Sequence, residues 1–192
     1  MRVSRQKAAE TRERILDTAG TLFRAMGFAG IGIADLMKAA DLTHGGFHGH
    51  FASKDELVAE TSRRTTAGAA ANWQRVVAEA PDKPYAALVE NYLSARHRDD
   101  PERGCAFAAL STDAARSGSA VRQAFAEGLR PLIDILTNAL PGFSKSAKRR
   151  KAVAAMATLV GAVTLARAVD DQALSDEILE AARHELRAAA FR

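Results

Sequence analysis

Residues 33–57 read IADLMKAADLTHGGFHGHFASKDEL, and the spacing of their apolar residues decides the fold prediction. The first eight residues carry apolar side chains at i, i+3, i+4 and i+7, which places them on one face of a short helix. Asp41 interrupts this face, and Thr43 is then placed to cap a second short helix. Phe47 and Phe51 lie four residues apart in that second helix. Two short helices that share a small core across a tight corner are typical of a helix-turn-helix.

The flanking segments predict longer helices on both sides of this unit. One helix is expected from Glu10 to Met26, and Gly27 is placed to end it in the left-handed conformation. Residues 1–9 before it are interpreted as a basic arm with Arg2, Arg5 and Lys7. Ser53, followed three residues later by a glutamate, forms a capping box that starts a long helix, which ends near residues 80–81.

The remainder of the chain is also helical in pattern, since no segment alternates as a strand would. Further helices are predicted over residues 84–98, 104–116, 120–140, 146–169 and 175–190, the last of them capped by Ser175. The expected fold is therefore all-α with about nine helices. We expect a helix-turn-helix domain over residues 1–52 and a second helical domain over residues 53–192, connected by the helix that begins at Ser53.

Composition narrows the class of protein. Of the 192 residues, 47% are hydrophobic and 26% are charged, which is typical of a folded, soluble chain. Residues 1–54 contain eight Lys or Arg against five Asp or Glu, so a net charge of +3 out of +4 lies in the N-terminal part. This local excess suits a polyanionic partner without proving one.

Neither secretion nor a membrane span is expected. A single cysteine excludes an intrachain disulfide, and the start MRVSRQK lacks the apolar segment of a secretory signal, so the cytoplasm is the expected compartment. Residues 152–169 are long enough to cross a bilayer, but they contain Thr158, Gly161, Thr164 and Arg167. A buried or dimer-forming helix is the preferred interpretation of this segment.

Two stretches in this order carry a family resemblance: TRERILDTAGTLFRAMGF at residues 11–28 and the segment at residues 33–57. Together they closely resemble the N-terminal domain of the tetracycline-repressor (TetR) family of bacterial transcriptional regulators. The resemblance covers about the first sixty residues. It implies a homodimer that pairs through its last two helices and places the second short helix in the major groove of a palindromic DNA operator. It also implies that an unknown small-molecule effector bound in the C-terminal domain changes the distance between the two DNA-recognition helices of the dimer.

The resemblance assigns DNA contacts residue by residue. The expected DNA-binding residues are Thr43, His44, Gly45, Gly46, His48, Lys54, Thr11 and Arg12. The segment departs from the family pattern, because His48 stands where Tyr is common and Gly46 and Gly49 replace side chains that commonly reach DNA. With few side chains left, we expect recognition to depend on phosphates and DNA shape more than on base edges. Because histidine changes charge near neutral pH, we also expect DNA affinity to increase as the pH falls.

Other candidate residues concern the effector. Aromatic and apolar residues of the middle helices, together with the only cysteine, are candidates for its pocket: Trp73, Tyr92, Cys105, Phe107, Phe125 and Met156. Cys105 is either a small buried residue or, as in some relatives, a sensor of electrophiles or oxidants. His97 and His184 are expected to be solvated. His44 and His48 lie four residues apart with His50 close by, but no acidic or Cys ligand completes a set, so neither a metal nor another cofactor is expected.

Two other classes of function compete with a ligand-responsive regulator, most simply a repressor. An enzyme is not expected, since Cys105 and the histidines have no orienting third group at useful spacing. A non-specific DNA-binding protein would need more positive charge than +4 and no large apolar second domain.

Overall fold

The structure is a computed structural model that describes residues 5–142 and 144–189. In this part of the chain there are nine α-helices, two 310 helices and no strand, which confirms the all-α prediction. The α-helices are α1 (Arg5–Met26), α2 (Ile33–Ala39), α3 (Lys54–Glu79), α4 (Pro84–Tyr92), α5 (Ala95–Asp99), α6 (Ala106–Arg116), α7 (Ser119–Ala139), α8 (Lys145–Ala168) and α9 (Gln172–Ala189). The first 310 helix is His44–Gly49 and the second is Pro101–Arg103.

The N-terminal core forms where α1, α2 and the first 310 helix meet. Its fully buried side chains include Ile15, Phe23, Met37, Phe47 and Phe51. Gly27 ends α1 with a φ of +77°, and its amide donates to the Phe23 carbonyl at 2.8 Å. Phe28 then packs edge-on against Phe23, with ring centroids 5.4 Å apart. The predicted glycine stop is confirmed.

The corner after α2 differs in detail from the prediction. Asp41 adopts a left-handed φ of 57°, and the Leu42 amide returns to the Met37 carbonyl at 2.9 Å. The second short helix is a 310 helix, whose first bond runs from the Gly46 amide to the Thr43 carbonyl at 3.0 Å. Thr43 occupies the N-cap position, but its hydroxyl makes no capping hydrogen bond, so that part of the prediction is wrong. Three glycines in this segment disfavour a regular α-helix, which is consistent with a short 310 helix.

The capping box before α3 is confirmed. The Ser53 hydroxyl accepts a hydrogen bond from the Glu56 amide at 3.1 Å. The Glu56 carboxylate accepts in turn from the Ala52 amide at 2.6 Å. From this cap α3 runs through the centre of the molecule and packs closely on α7. A Cβ at Gly128 of α7 would lie 2.2 Å from the Thr66 Cβ, so only glycine permits this approach.

Three predicted boundaries are wrong. α1 begins at Arg5, so Arg5 and Lys7 belong to a helix rather than an arm, whereas Arg2 lies outside the described residues. The single helix predicted over residues 84–98 is two helices, because the Ser94 hydroxyl accepts from the His97 amide at 3.2 Å and starts α5. α9 begins at Gln172, and Ser175 is not its cap. Its buried hydroxyl donates to the Ala166 carbonyl at 2.7 Å and joins α9 to α8.

α8 is long and apolar enough to cross a membrane by length and composition alone. In the fold it packs between α7 and α9, and one of its faces is buried: Ala152, Ala155, Met156, Leu159, Ala162, Val163 and Ala166. These contacts agree with its interpretation as a helix of the protein core.

Candidate DNA-binding surface and ligand cavity

The first 310 helix presents a polar face to solvent. Phe47 is fully buried and fixes this helix on the N-terminal core, while the residues predicted to contact DNA around it are exposed: Thr43, His44, Gly45, Gly46 and His48. A Cβ at Gly45 or Gly49 would meet nothing within 4 Å. The surface is therefore open, with few side chains of its own. Lys38, exposed in the last turn of α2, adds a cation beside it that the sequence reasoning did not single out.

The other three predicted DNA-binding residues have partners within the protein. The Arg12 guanidinium forms an ion pair with Glu60 of α3 and lies 4.6 Å from the Phe51 ring centroid. Its hydrogen bonds hold the pKa of Glu60 below its usual value. Lys54 Nζ donates to the Ile31 carbonyl at 2.6 Å, and the Thr11 hydroxyl donates to the Lys7 carbonyl at 2.8 Å. Arg12 therefore joins α1 to α3, and Lys54 joins the start of α3 to the turn before α2.

A cavity of about 630 Å³ lies between α1, α3 and the segment from α4 to Cys105. The residues that line it are Leu16, Asp17, Gly20, Thr21, Arg24, Arg64, Thr65, Gly68, Ala69, Asn72, Trp73, Arg75, Asn91, Tyr92, Ser94, Arg96, His97, Asp100, Arg103, Gly104 and Cys105. Trp73 and Tyr92 form an apolar part of the wall and meet edge-on, with ring centroids 5.8 Å apart. This volume is in the range of small-molecule sites.

Five arginines and two aspartates line the cavity, but most of these charges are balanced. Arg64 pairs with Asp17 at 2.8 Å, and Arg75 pairs with Glu79 at 2.8 Å. Arg24 differs from them. Its Nε donates to the Glu102 carbonyl at 2.6 Å, and no carboxylate of the described residues forms an ion pair with it. Burial lowers the pKa of this guanidinium, and the nearby charges of Asp100 and Glu102 oppose that shift only in part.

His97 and Cys105 form a fixed cluster on the cavity wall. The Cys105 amide donates to His97 Nε2 at 2.9 Å, so that nitrogen is an acceptor. His97 Nδ1 must then carry the proton and donate to the Tyr92 carbonyl at 2.6 Å. Burial lowers the pKa of His97 and stabilises this neutral form. The prediction that His97 is solvated is wrong, because the break between α4 and α5 turns it inward, whereas His184 is exposed as predicted.

Cys105 is a buried free thiol at the N-cap position of α6. Burial raises its pKa, while the amides of Phe107 and Ala108 and the charge of Arg167 oppose that shift. Arg167 of α8 reaches this region by donating from Nε to the Arg98 carbonyl at 2.9 Å.

Two contacts connect the cavity side of the molecule to the end of α1. The first is the bond from Arg24 to the second 310 helix described above. The second runs from the Phe28 amide to Asp113 Oδ2 at 3.1 Å, so α6 holds the turn that follows α1. That turn leads directly into α2. Arg24 and the Phe28 amide therefore link the second 310 helix and α6 to the N-terminal core by hydrogen bonds.

The structure brings together three of the predicted pocket residues and leaves three apart. Trp73, Tyr92 and Cys105 line the cavity. Phe107 and Phe125 instead pack edge-on with centroids 5.3 Å apart, and Met156 is buried on α8, so these three are core residues. The sequence reasoning missed Arg24, Arg96 and His97. Their only signal was polarity at helical spacing, which surface residues share.

Comparison with known proteins agrees with both parts of the fold. Residues 15–61 match the bacterial regulatory proteins of the tetR family, and residues 81–184 match the C-terminal domain of LmrA/YxaF-like transcriptional regulators. A 59-residue region is 39% identical to the HTH-type transcriptional regulator AcrR of Shigella flexneri. That match spans 31% of this chain and only 27% of AcrR.

Solved structures match over nearly the whole chain. The reduced form of E. coli NemR superposes with a TM-score of 0.77 at 23% identity, over 92% of this chain and 95% of NemR. A TetR-family transcriptional regulator from Cytophaga hutchinsonii gives a TM-score of 0.77 at 21% identity, over 98% of both chains. At these identities the superpositions establish a shared fold.

Proposed function

The chain belongs to the TetR family of bacterial transcriptional regulators, and from that premise we propose that it is a repressor released from DNA by a small molecule. In this proposal residues 1–52 bind a palindromic operator as part of a homodimer in the cytoplasm. Residues 53–192 form the ligand-binding and dimerisation domain. The observation that carries the proposal is the cavity next to α1. Arg24 lines this cavity and links the end of α1 to the second 310 helix through the Glu102 carbonyl.

The exposed face of the first 310 helix supports DNA binding. Thr43, His44 and His48 are exposed around the buried Phe47, so they are free to meet a groove. Gly45 and Gly46 allow the backbone to approach the DNA closely. Arg12 and Lys54 would support DNA binding by fixing the relative positions of α1 and α3. To contact phosphates directly, each would have to break its contact within the protein.

Exposed apolar side chains support a dimer through the last two helices. Val153 and Leu165 on α8 are 47% and 58% exposed, and Leu174 on α9 is 42% exposed. A paired surface would remove them from water. Dimer formation matters for function, because the recognition helices of the two subunits must enter successive major grooves about 34–36 Å apart.

Selection of bound sequences from random DNA tests the proposal directly. We expect a palindrome, a salt-dependent complex of two chains per site, and release of that complex by at least one compound from a small-molecule screen. His44→Ala should weaken operator binding without changing the thermal melting of the protein. Arg14→Ala, an exposed cation on α1, is the matched surface control. Binding that unrelated DNA competes away at equal concentration would instead support the non-specific alternative.

A thiol-responsive regulator is the second candidate function. Its basis is position and not reactivity: Cys105 is the N-cap of α6, which also holds the Phe28 amide through Asp113, whereas burial raises the pKa of the thiol and slows its reaction. The fold likeness to NemR in its reduced form makes this candidate worth testing. Alkylation with N-ethylmaleimide should then abolish operator binding by the native protein and spare Cys105→Ser. If both proteins keep operator binding after the native thiol has reacted, Cys105 is a core residue only.

A further inference from the structure

The charge of the cavity indicates which chemical class of ligand it accepts. Of its five arginines, Arg64 and Arg75 have carboxylate partners, and Arg103 lies 4.0 Å from Asp100. Arg24 and Arg96 form no ion pair with any described residue. The two aspartates of the lining are already used in these pairs: Asp17 with Arg64 and Asp100 with Arg103. The lining therefore carries more positive than negative charge, and Arg24 is attracted by Asp100 and Glu102 without forming an ion pair with either.

Arg24 is the arginine best placed to bind an anion. Its side chain is half-buried on the inner side of α1, where its Nε is held by the Glu102 carbonyl. This bond fixes the guanidinium plane and leaves the two terminal nitrogens for another acceptor. Gly20, one turn earlier, has no side chain to fill the adjacent space, and a Cβ there would lie 3.5 Å from Arg24 Nη1. A fixed guanidinium with two free nitrogens suits a carboxylate or phosphate group.

The rest of the wall requires more than an inorganic ion. A volume of about 630 Å³ is far larger than one phosphate group needs. Trp73, Tyr92 and Leu16 form an apolar part of the wall, but each is only 2–4% exposed, and the two rings pack edge-on against each other. An apolar group of a ligand would therefore contact the edges of these rings.

We propose that this cavity binds a small organic anion, with its carboxylate or phosphate group at Arg24 and a planar apolar group against Trp73 and Tyr92. The inference rests on the proposed function and names the class of its effector. An anion at Arg24 supplies the ion-pair partner that no described carboxylate provides, and it lies where α1 meets the second 310 helix. Binding would therefore change the contact through which this side of the molecule holds the end of α1.

The experiment compares matched probes on the full-length protein without DNA. Trp73 is the only tryptophan in the chain, so quenching of its fluorescence reports on the cavity itself. The probes are 3-phenylpropanoate, its neutral amide 3-phenylpropanamide, phenyl phosphate and inorganic phosphate. We expect the two aromatic anions to bind at least about tenfold more tightly than the amide or inorganic phosphate.

Variants assign the preference to one side chain. Arg24→Gln should remove most of the preference for the anion and leave the affinity for the amide unchanged. Arg24→Lys, which keeps the charge, should retain part of it. Arg14→Gln is the matched control, since it removes an exposed arginine of the same helix that does not line the cavity, and its affinities should stay within twofold of the native protein. Thermal melting of each variant checks that it is folded.

The inference is overturned if the amide binds as tightly as the carboxylate, if Arg24→Gln keeps the preference, or if none of the organic anions binds at millimolar concentration. Operator release is measured separately. Release by a neutral or cationic compound, with no anion bound, would leave the proposed regulator intact and refute only the ligand class. Anion binding that depends on Arg24 but leaves the operator complex unchanged would support the ligand class and refute release through this cavity.

Discussion

Replacing Gly128 by alanine should separate α3 from α7 and destabilise the protein. The added Cβ would lie 2.2 Å from the Thr66 Cβ. Because a Cβ moves only with its backbone, no rotation of the Thr66 side chain relieves this overlap. Ordinary contact begins near 3.4 Å, so the two helices must move apart by about 1 Å at this point.

The expected size of the effect combines two opposing contributions. Overpacking a close contact costs about 1–3 kcal/mol. Replacing a helical glycine with alanine returns up to about 1 kcal/mol through helix propensity. We therefore expect the free energy of unfolding to fall by about 1–2 kcal/mol. Gly68→Ala in α3 is the matched control, because a Cβ there meets nothing within 4 Å and only the stabilising contribution remains.

Urea unfolding followed by Trp73 fluorescence, at one fixed protein concentration, measures both variants. The two substitutions should shift the midpoint in opposite directions. Combining Gly128→Ala with Thr66→Gly should cost less than the sum of the two single changes, since the second change removes the clashing atom. A midpoint for Gly128→Ala at or above that of the native protein would refute the close contact between α3 and α7.

Three further changes test contacts around the site. Asp113→Ala leaves the half-buried Phe28 amide without its acceptor, so urea unfolding should show a loss of about 1–2 kcal/mol, whereas Asp113→Asn should retain most of the stability. Because burial lowers the pKa of His97, the unfolded chain takes up protons that the folded chain does not. Stability should be flat between about pH 7 and 8 and fall below about pH 6.5. His97→Gln should reduce that fall, and an unchanged slope between pH 7 and 5.5 would contradict it. Glu60→Gln breaks the half-exposed pair with Arg12 and should cost at most about 1 kcal/mol, less at high salt. Since the pKa of Glu60 is lowered, this difference from the native protein should disappear on acidification below its folded pKa.

Local patterns predicted the N-terminal part well. The helix-turn-helix pattern, the Gly27 stop and the Ser53 capping box depend on residues no more than a few positions apart. Each is therefore visible in the sequence alone. The start of α1, the missing cap at Thr43 and the 310 form of the second short helix were the exceptions. For the last of these, three glycines weaken the preference for an α-helix but do not indicate which conformation replaces it.

The cavity could not be predicted in the same way, because its parts come from distant segments. Arg24 reads as an ordinary polar residue on α1 until the Glu102 carbonyl, 78 positions away, fixes its guanidinium. His97 reads as solvated until the break at Ser94 turns it toward the Cys105 amide. Phe107 and Phe125 are aromatic at helical spacing, and such a pattern does not distinguish a pocket wall from plain core. Tertiary contacts decide all three cases.

The emptiness around Gly45 and Gly49 has a consequence for how this protein can evolve. Neither glycine has a positive φ, and a Cβ at either position meets nothing within 4 Å. Single substitutions at these two sites would thus add side chains to the exposed face without disturbing Phe47 and the core beneath it. In the proposed regulator, one substitution at either position would change the operator preference at little cost to folding, and it would leave the residues of the cavity unchanged.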